Sequence, residues 1–259
     1  MTLPHGAMPS PADPLMLRAW RDKEEERDFV RAWLGLQDIP ERSLSAAALF
    51  HHATSADLSR ASWFFSRLAE TQVYPQPHAL RADDPLAQVV EGLLWAFLQS
   101  GKLVLDSLAR EINLVYWHLD DEDQFYDPVR QARWASFYMV RQKLLTSGPF
   151  RDDPVSKVLE RETIAETPEP AYRVLSHLTN VSVVVPMMIG PILAGDESQS
   201  GPLPLSRCRI MLPDDSRLET LTYDQGFEAN EVGRMILLWL DRFLDEVYAA
   251  LSISLKRMR

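Results

Sequence analysis

Residues 84–119 read DPLAQVVEGLLWAFLQSGKLVLDSLAREINLVYWHL, the longest helical pattern in the chain. Asp84-Pro85 starts it: an Asp side chain accepts from the free N–H groups of a first helical turn, and Pro at the first position has no N–H to lose. From Leu86 to Leu119 the helical pattern is continuous, with Ser100-Gly101 as a point where it could kink. Gly costs about 1 kcal/mol in a helix interior, so a kink is expected there. A helix this long needs other helices to cover it, which points to an all-α, multi-helix bundle.

The same aspartate–proline signal recurs outward from this run. Asp13-Pro14 opens a helix that continues through LMLRAWRDKEEERDFVRAWLGL to a Gly35 cap. Asp127-Pro128 opens one expected to reach Leu145, and Asp153-Pro154 a short one to about Glu162. Ser43–His52 and Ser55–Val73 read as two further helices, with Ser55 or Asp57 capping the second. Pro168 to Pro170 lead into a helix from Ala171 to about Met188, and the last helix runs from about Glu228 to Leu255. Between these two, Arg207–Leu212 and Arg217–Thr222 alternate around Pro213-Asp214-Asp215-Ser216, the pattern of a small C-terminal β-hairpin insertion. Residues 1–13 are rich in Pro and small residues with no periodicity and read as a disordered leader; residues 14–259 read as a single helical domain.

Composition bounds the function. The chain has 259 residues, 27 Lys+Arg against 37 Asp+Glu, and a net charge of −10. It lacks the broad basic footprint of a general nucleic-acid binder, so no DNA is expected. The single cysteine, Cys208, excludes an internal disulfide and a multi-cysteine zinc site, and a reducing cytoplasm is the simplest compartment. No stretch reaches the roughly 18 uncharged apolar residues of a membrane span. The nearest, VSVVVPMMIGPIL at Val181–Leu193, is broken by Pro186, Gly190 and Pro191.

Few patterns carry chemistry. His51-His52 are adjacent, and neighbours on a helix point about 100° apart, so they do not share an ion. The acidic turn Asp120-Asp121-Glu122-Asp123 lacks EF-hand spacing. No metal and no cofactor is expected. Trp63, Trp95, Trp117, Trp134 and Trp239 are expected mostly in the core, with an interface as the alternative.

The helix AYRVLSHLTN places Arg173, Ser176, His177 and Asn180 on one stripe and Val174 and Leu178 on another. A buried Arg needs a carboxylate. Glu111 is the candidate partner, since Ser107, Glu111 and His118 fall near one face of the long helix with Arg110 about a quarter-turn away. The bland reading is an Arg173–Glu111 pair that fixes helix register.

The stretch SLAREINLVYWHL, followed about fifty residues later by YRVLSHLTN, resembles helical proteins of the bacterial HEPN superfamily. That resemblance implies a helical bundle, often dimeric, from toxin, phage-defence and RNA-processing contexts. Active members carry an Arg, four to six residues, then a His, and cut RNA without metal. The likeness lies at Tyr172, Arg173, Leu175 and Ser176. Here Asn180 stands where the family's His would, after six intervening residues, and His177 follows after three. Asn is no general base near neutral pH.

The expected function is therefore a non-catalytic helical binding or regulatory protein, with a homodimer or a protein partner. A metal-independent ribonuclease is the alternative, with RNA as substrate and Arg173 with His177 or Asn180 as its site. A helical enzyme acting on a small molecule in a central pocket is the third reading, with no residue constellation behind it.

Overall fold

The computed structural model describes residues 41–73, 85–120, 124–164, 170–184, 192–194, 203–204, 208–210 and 229–257. The expected leader and the helix after Asp13-Pro14 lie outside these residues. Six α-helices are described: α1 Glu41–Glu70, α2 Pro85–Leu119, α3 Phe137–Thr146, α4 Pro154–Thr163, α5 Pro170–Val184 and α6 Ala229–Arg257. The protein is all-α in these residues apart from two brief antiparallel pairings, Gln72–Val73 with Leu203–Pro204 and Ile192–Ala194 with Cys208–Ile210. Residues 217–222, the expected second arm of the hairpin, lie outside the described residues.

Helix α2 is the axis of the bundle and touches α1, α3, α5 and α6. It runs antiparallel to α1: Thr54 meets Glu111, Asp57 meets Ser107 and Phe65 meets Phe97. Burial on several sides follows from its near-continuous apolar run, with Val90, Leu94, Phe97, Val104, Leu108 and Ile112 all buried. Ser100-Gly101 does not end the helix. A side chain at Gly101 would come within 3.3 Å of the Leu175 methyl, so glycine there lets α5 pack closely. Gly233 does the same for α6 against Phe65, where a Cβ would fall 2.2 Å from the ring.

Local signals succeed where nothing distant competes. Asp153 caps α4 by accepting from the Val155 N–H at 2.9 Å, with Pro154 at the first turn. Asp127 likewise accepts from the Val129 and Arg130 N–H groups, but only a turn and a 3-10 segment, Ala132–Trp134, follow. The helix expected from Pro128 begins instead at Phe137, whose N–H is taken by Asp106 of α2 at 2.9 Å. The two helices expected over 43–73 are the single helix α1. Ser55 and Asp57 resemble caps in sequence, yet both are buried on α1, and Asp57 accepts from Ser107 at 3.1 Å. The tryptophans also depart from expectation. Trp239 is buried, but Trp63, Trp95 and Trp134 are about half exposed, Trp63 and Trp134 beneath the Arg67 and Arg133 guanidiniums.

Candidate functional site

Two polar groupings arise inside this bundle, and they have different characters. The first is closed. Glu111 of α2 accepts from Thr54 Oγ1 of α1 at 2.5 Å and from the Tyr248 hydroxyl of α6 at 3.1 and 3.2 Å. His51 Nδ1 stands 3.8 Å from the same carboxylate. Thr54 and Tyr248 are fully buried, so this node ties three helices together through one carboxylate. A similar node forms at Asp153, which accepts from Tyr116 and, at 2.8 Å, from Ser254. Burial, then the adjacent Asp153 charge, pushes the Tyr116 phenol well above its usual value. Each group in these nodes has its partner.

The second grouping surrounds a cavity of about 360 Å³ between α2, α3 and α5. Lys102 and Asp106 reach it from α2, one turn apart on the same side. Ser136, Phe137 and Tyr138 form its wall at the start of α3. From α5 come Tyr172, Leu175, Ser176, Thr179 and Asn180, at helical spacing. The aromatic wall is braced from behind: Phe137 and Tyr172 lie 6.0 Å apart, Tyr172 packs on Trp239 at 5.8 Å, and Trp239 stacks on Phe243 at 5.1 Å. Trp239 Nε1 in turn donates to Glu162 at 3.0 Å. Burial alone would raise the Glu162 carboxyl, but the bonds from Trp239 and Arg161 and the Arg242 charge outweigh it and hold the group below its ordinary value.

The structure splits the stripe found in sequence. Ser176 and Asn180 line the cavity together with Tyr172, whereas Arg173 and His177 do not. Arg173 is exposed and makes no ion pair among the described residues. The Arg173–Glu111 pair does not form: Arg173 is exposed, while Glu111 bonds Thr54 and Tyr248 inside the bundle. Nor does Ser107 join Glu111; it donates to Asp57. His118 packs edge-on against Trp117 and is held below its usual value by burial, with Nε2 buried and unbonded among the described residues. Arg110 is half-buried and lies outside the cavity lining.

Lys102, Asp106, Phe137 and Tyr138 were not singled out from sequence. Lys102 and Asp106 carried a readable signal, an i, i+4 charged pair on an otherwise apolar stretch of α2. Phe137 and Tyr138 carried none. Among the described residues no group of three His, Cys, Asp or Glu side chains could hold a metal ion, and no helix is long and apolar enough to cross a membrane. No family model, curated protein or solved structure matches this chain.

Proposed function

We propose that the protein is a non-catalytic helical binding protein whose ligand, a small molecule, occupies the cavity between α2, α3 and α5. The observation that carries this reading is the cavity's composition. One cation, one carboxylate, several hydroxyls and the Asn180 amide share the lining with aromatic and aliphatic side chains, a mixture that suits a ligand pocket. At about 360 Å³ it is at the small end of such pockets. Lining residues come from three helices, so a ligand there is linked to their packing and stabilises the fold by mass action.

The test is a ligand-observed fluorine NMR screen of fragments against wild type and Ser176→Phe, which fills the cavity from α5. Fragments that bind wild type and lose binding to the filled variant support the reading. Fragments that bind both equally contradict it.

The ribonuclease alternative, and the likeness to the HEPN superfamily behind it, has one observation in its favour. Arg173 is exposed rather than locked to a buried carboxylate, with the half-exposed His177 one turn away. RNA cleavage in EDTA that is lost in both Arg173→Ala and His177→Ala would make that reading primary. Intact RNA beside a folded wild type leaves the binding reading alone.

A further inference from the structure

Resting on the cavity reading, we propose that the ligand is a small planar organic monoanion, an aromatic carboxylate, with its carboxylate at Lys102 and its ring against Phe137, Tyr138 and Tyr172.

With a net charge of −10, carboxylates are plentiful, and Arg60, Arg67, Arg130, Arg161 and Arg242 each sit within 4.0 Å of one. One cation lines this cavity and a second contacts its lining. Lys102 lines it, is only partly exposed, and makes no ion pair among the described residues. Arg141 stands directly behind the wall. Its Nη1 donates to the Tyr172 hydroxyl at 2.7 Å, and its guanidinium lies 5.3 Å from the Tyr138 ring and 5.9 Å from the Tyr172 ring. Arg141 Nε is buried without a hydrogen-bond partner, and no carboxylate pairs with the group among the described residues. Lys102 on the lining, with the Arg141 charge reaching the lining through the Tyr172 hydroxyl, favours an anion inside the cavity.

Asp106 limits how much negative charge fits. Its Oδ1 holds the Phe137 N–H at 2.9 Å, which fixes the carboxylate at the positive end of α3 and offsets part of its charge. A dianion such as a phosphate monoester would still be repelled one turn from Lys102, whereas a monoanion can take Lys102 alone. A cationic ligand would have to compete with the Phe137 N–H for Asp106 and sit beside Lys102. The rest of the lining selects the body: three aromatic rings with Leu105 and Leu175 form apolar walls, and Ser176 and Asn180 offer hydrogen bonds at the edge.

The experiment titrates the full chain with 2-naphthoate, its neutral isostere 2-naphthamide and the cation 2-naphthylmethylammonium, followed by amide NMR shifts. The expected order is naphthoate tighter than naphthamide by about tenfold, which corresponds to ~1.4 kcal/mol, with the cation weakest. Lys102→Met and the milder Lys102→Gln should erase the preference for naphthoate and leave naphthamide affinity within about twofold. An equal or better affinity for the amide or the cation overturns the proposal, as does a preference that survives both lysine variants or the failure of all three probes to bind. Failure of the underlying cavity reading has its own signature: naphthoate binding that persists in Ser176→Phe.

Discussion

The Tyr248 hydroxyl donates to the Glu111 carboxylate at 3.1 Å across 137 residues of sequence, and this bond fixes α6 against α2. Thr54 approaches the same carboxylate from α1. Removing the hydroxyl in Tyr248→Phe leaves Glu111 one bond short and should cost about 1–2 kcal/mol. Glu111→Ala removes the acceptor of both Thr54 and Tyr248 and opens a void, so its cost should be larger, roughly 3 kcal/mol. Arg173→Ala should stay within ~0.5 kcal/mol, as for an exposed residue with no ion pair among the described residues. Urea unfolding of the three variants decides the matter. An Arg173→Ala loss as large as that of Tyr248→Phe would restore the salt bridge that the sequence suggested.

Two glycines on helices give opposite predictions for the same change. A Cβ at Gly92 meets nothing within 4 Å, so Gly92→Ala should gain up to about 1 kcal/mol from helix propensity alone. At Gly233 the new Cβ would lie 2.2 Å from the buried Phe65 ring, itself packed 5.4 Å from Phe97. Overpacking of this kind costs about 1–3 kcal/mol, which exceeds the propensity gain, so Gly233→Ala should lower the melting temperature. A Gly233→Ala protein as stable as Gly92→Ala would mean that α6 does not approach α1 this closely.

Glu162 makes stability depend on acid. Its carboxyl is held below the ordinary value of 4.5, against burial, by Trp239, Arg161 and Arg242. A carboxyl depressed in the folded state binds its proton more readily when unfolded. Its contribution is therefore complete above about pH 4.5 and is lost as the pH falls through the folded value. Glu162→Gln should remove that part of the acid slope and cost about 1 kcal/mol at pH 7, since Arg161 and Arg242 are about half exposed and lose little. Urea midpoints from pH 3 to 7 give the measurement. Parallel wild-type and variant profiles would contradict the depressed carboxyl.

Much of the architecture is legible in sequence because its signals are local. Asp153-Pro154 names the start of α4 through a bond that spans two residues. The run of apolar residues after Pro85 names α2 regardless of what surrounds it. Buried polar residues are harder, because their partners are distant. Thr54, Ser55 and Asp57 look like a helix boundary until Glu111 and Ser107, 57 and 50 residues away from Thr54 and Asp57, accept and donate their bonds. Asp127-Pro128 has the right cap chemistry and still fails to start a long helix, since Asp106 holds the Phe137 N–H and sets where α3 begins. The candidate site shows the same division. Ser176 and Asn180 come from the helix stripe read in sequence and Tyr172 from the resemblance, while Phe137 and Tyr138 join them only through packing of three helices.

The central claim, that the cavity between α2, α3 and α5 is the ligand site, is tested most directly by mapping where a bound fragment perturbs the backbone amides of the full chain. Shifts should be concentrated at residues 102–106, 136–138 and 172–180, all of them lost in Ser176→Phe. Shifts concentrated elsewhere, or unchanged in Ser176→Phe, would contradict it.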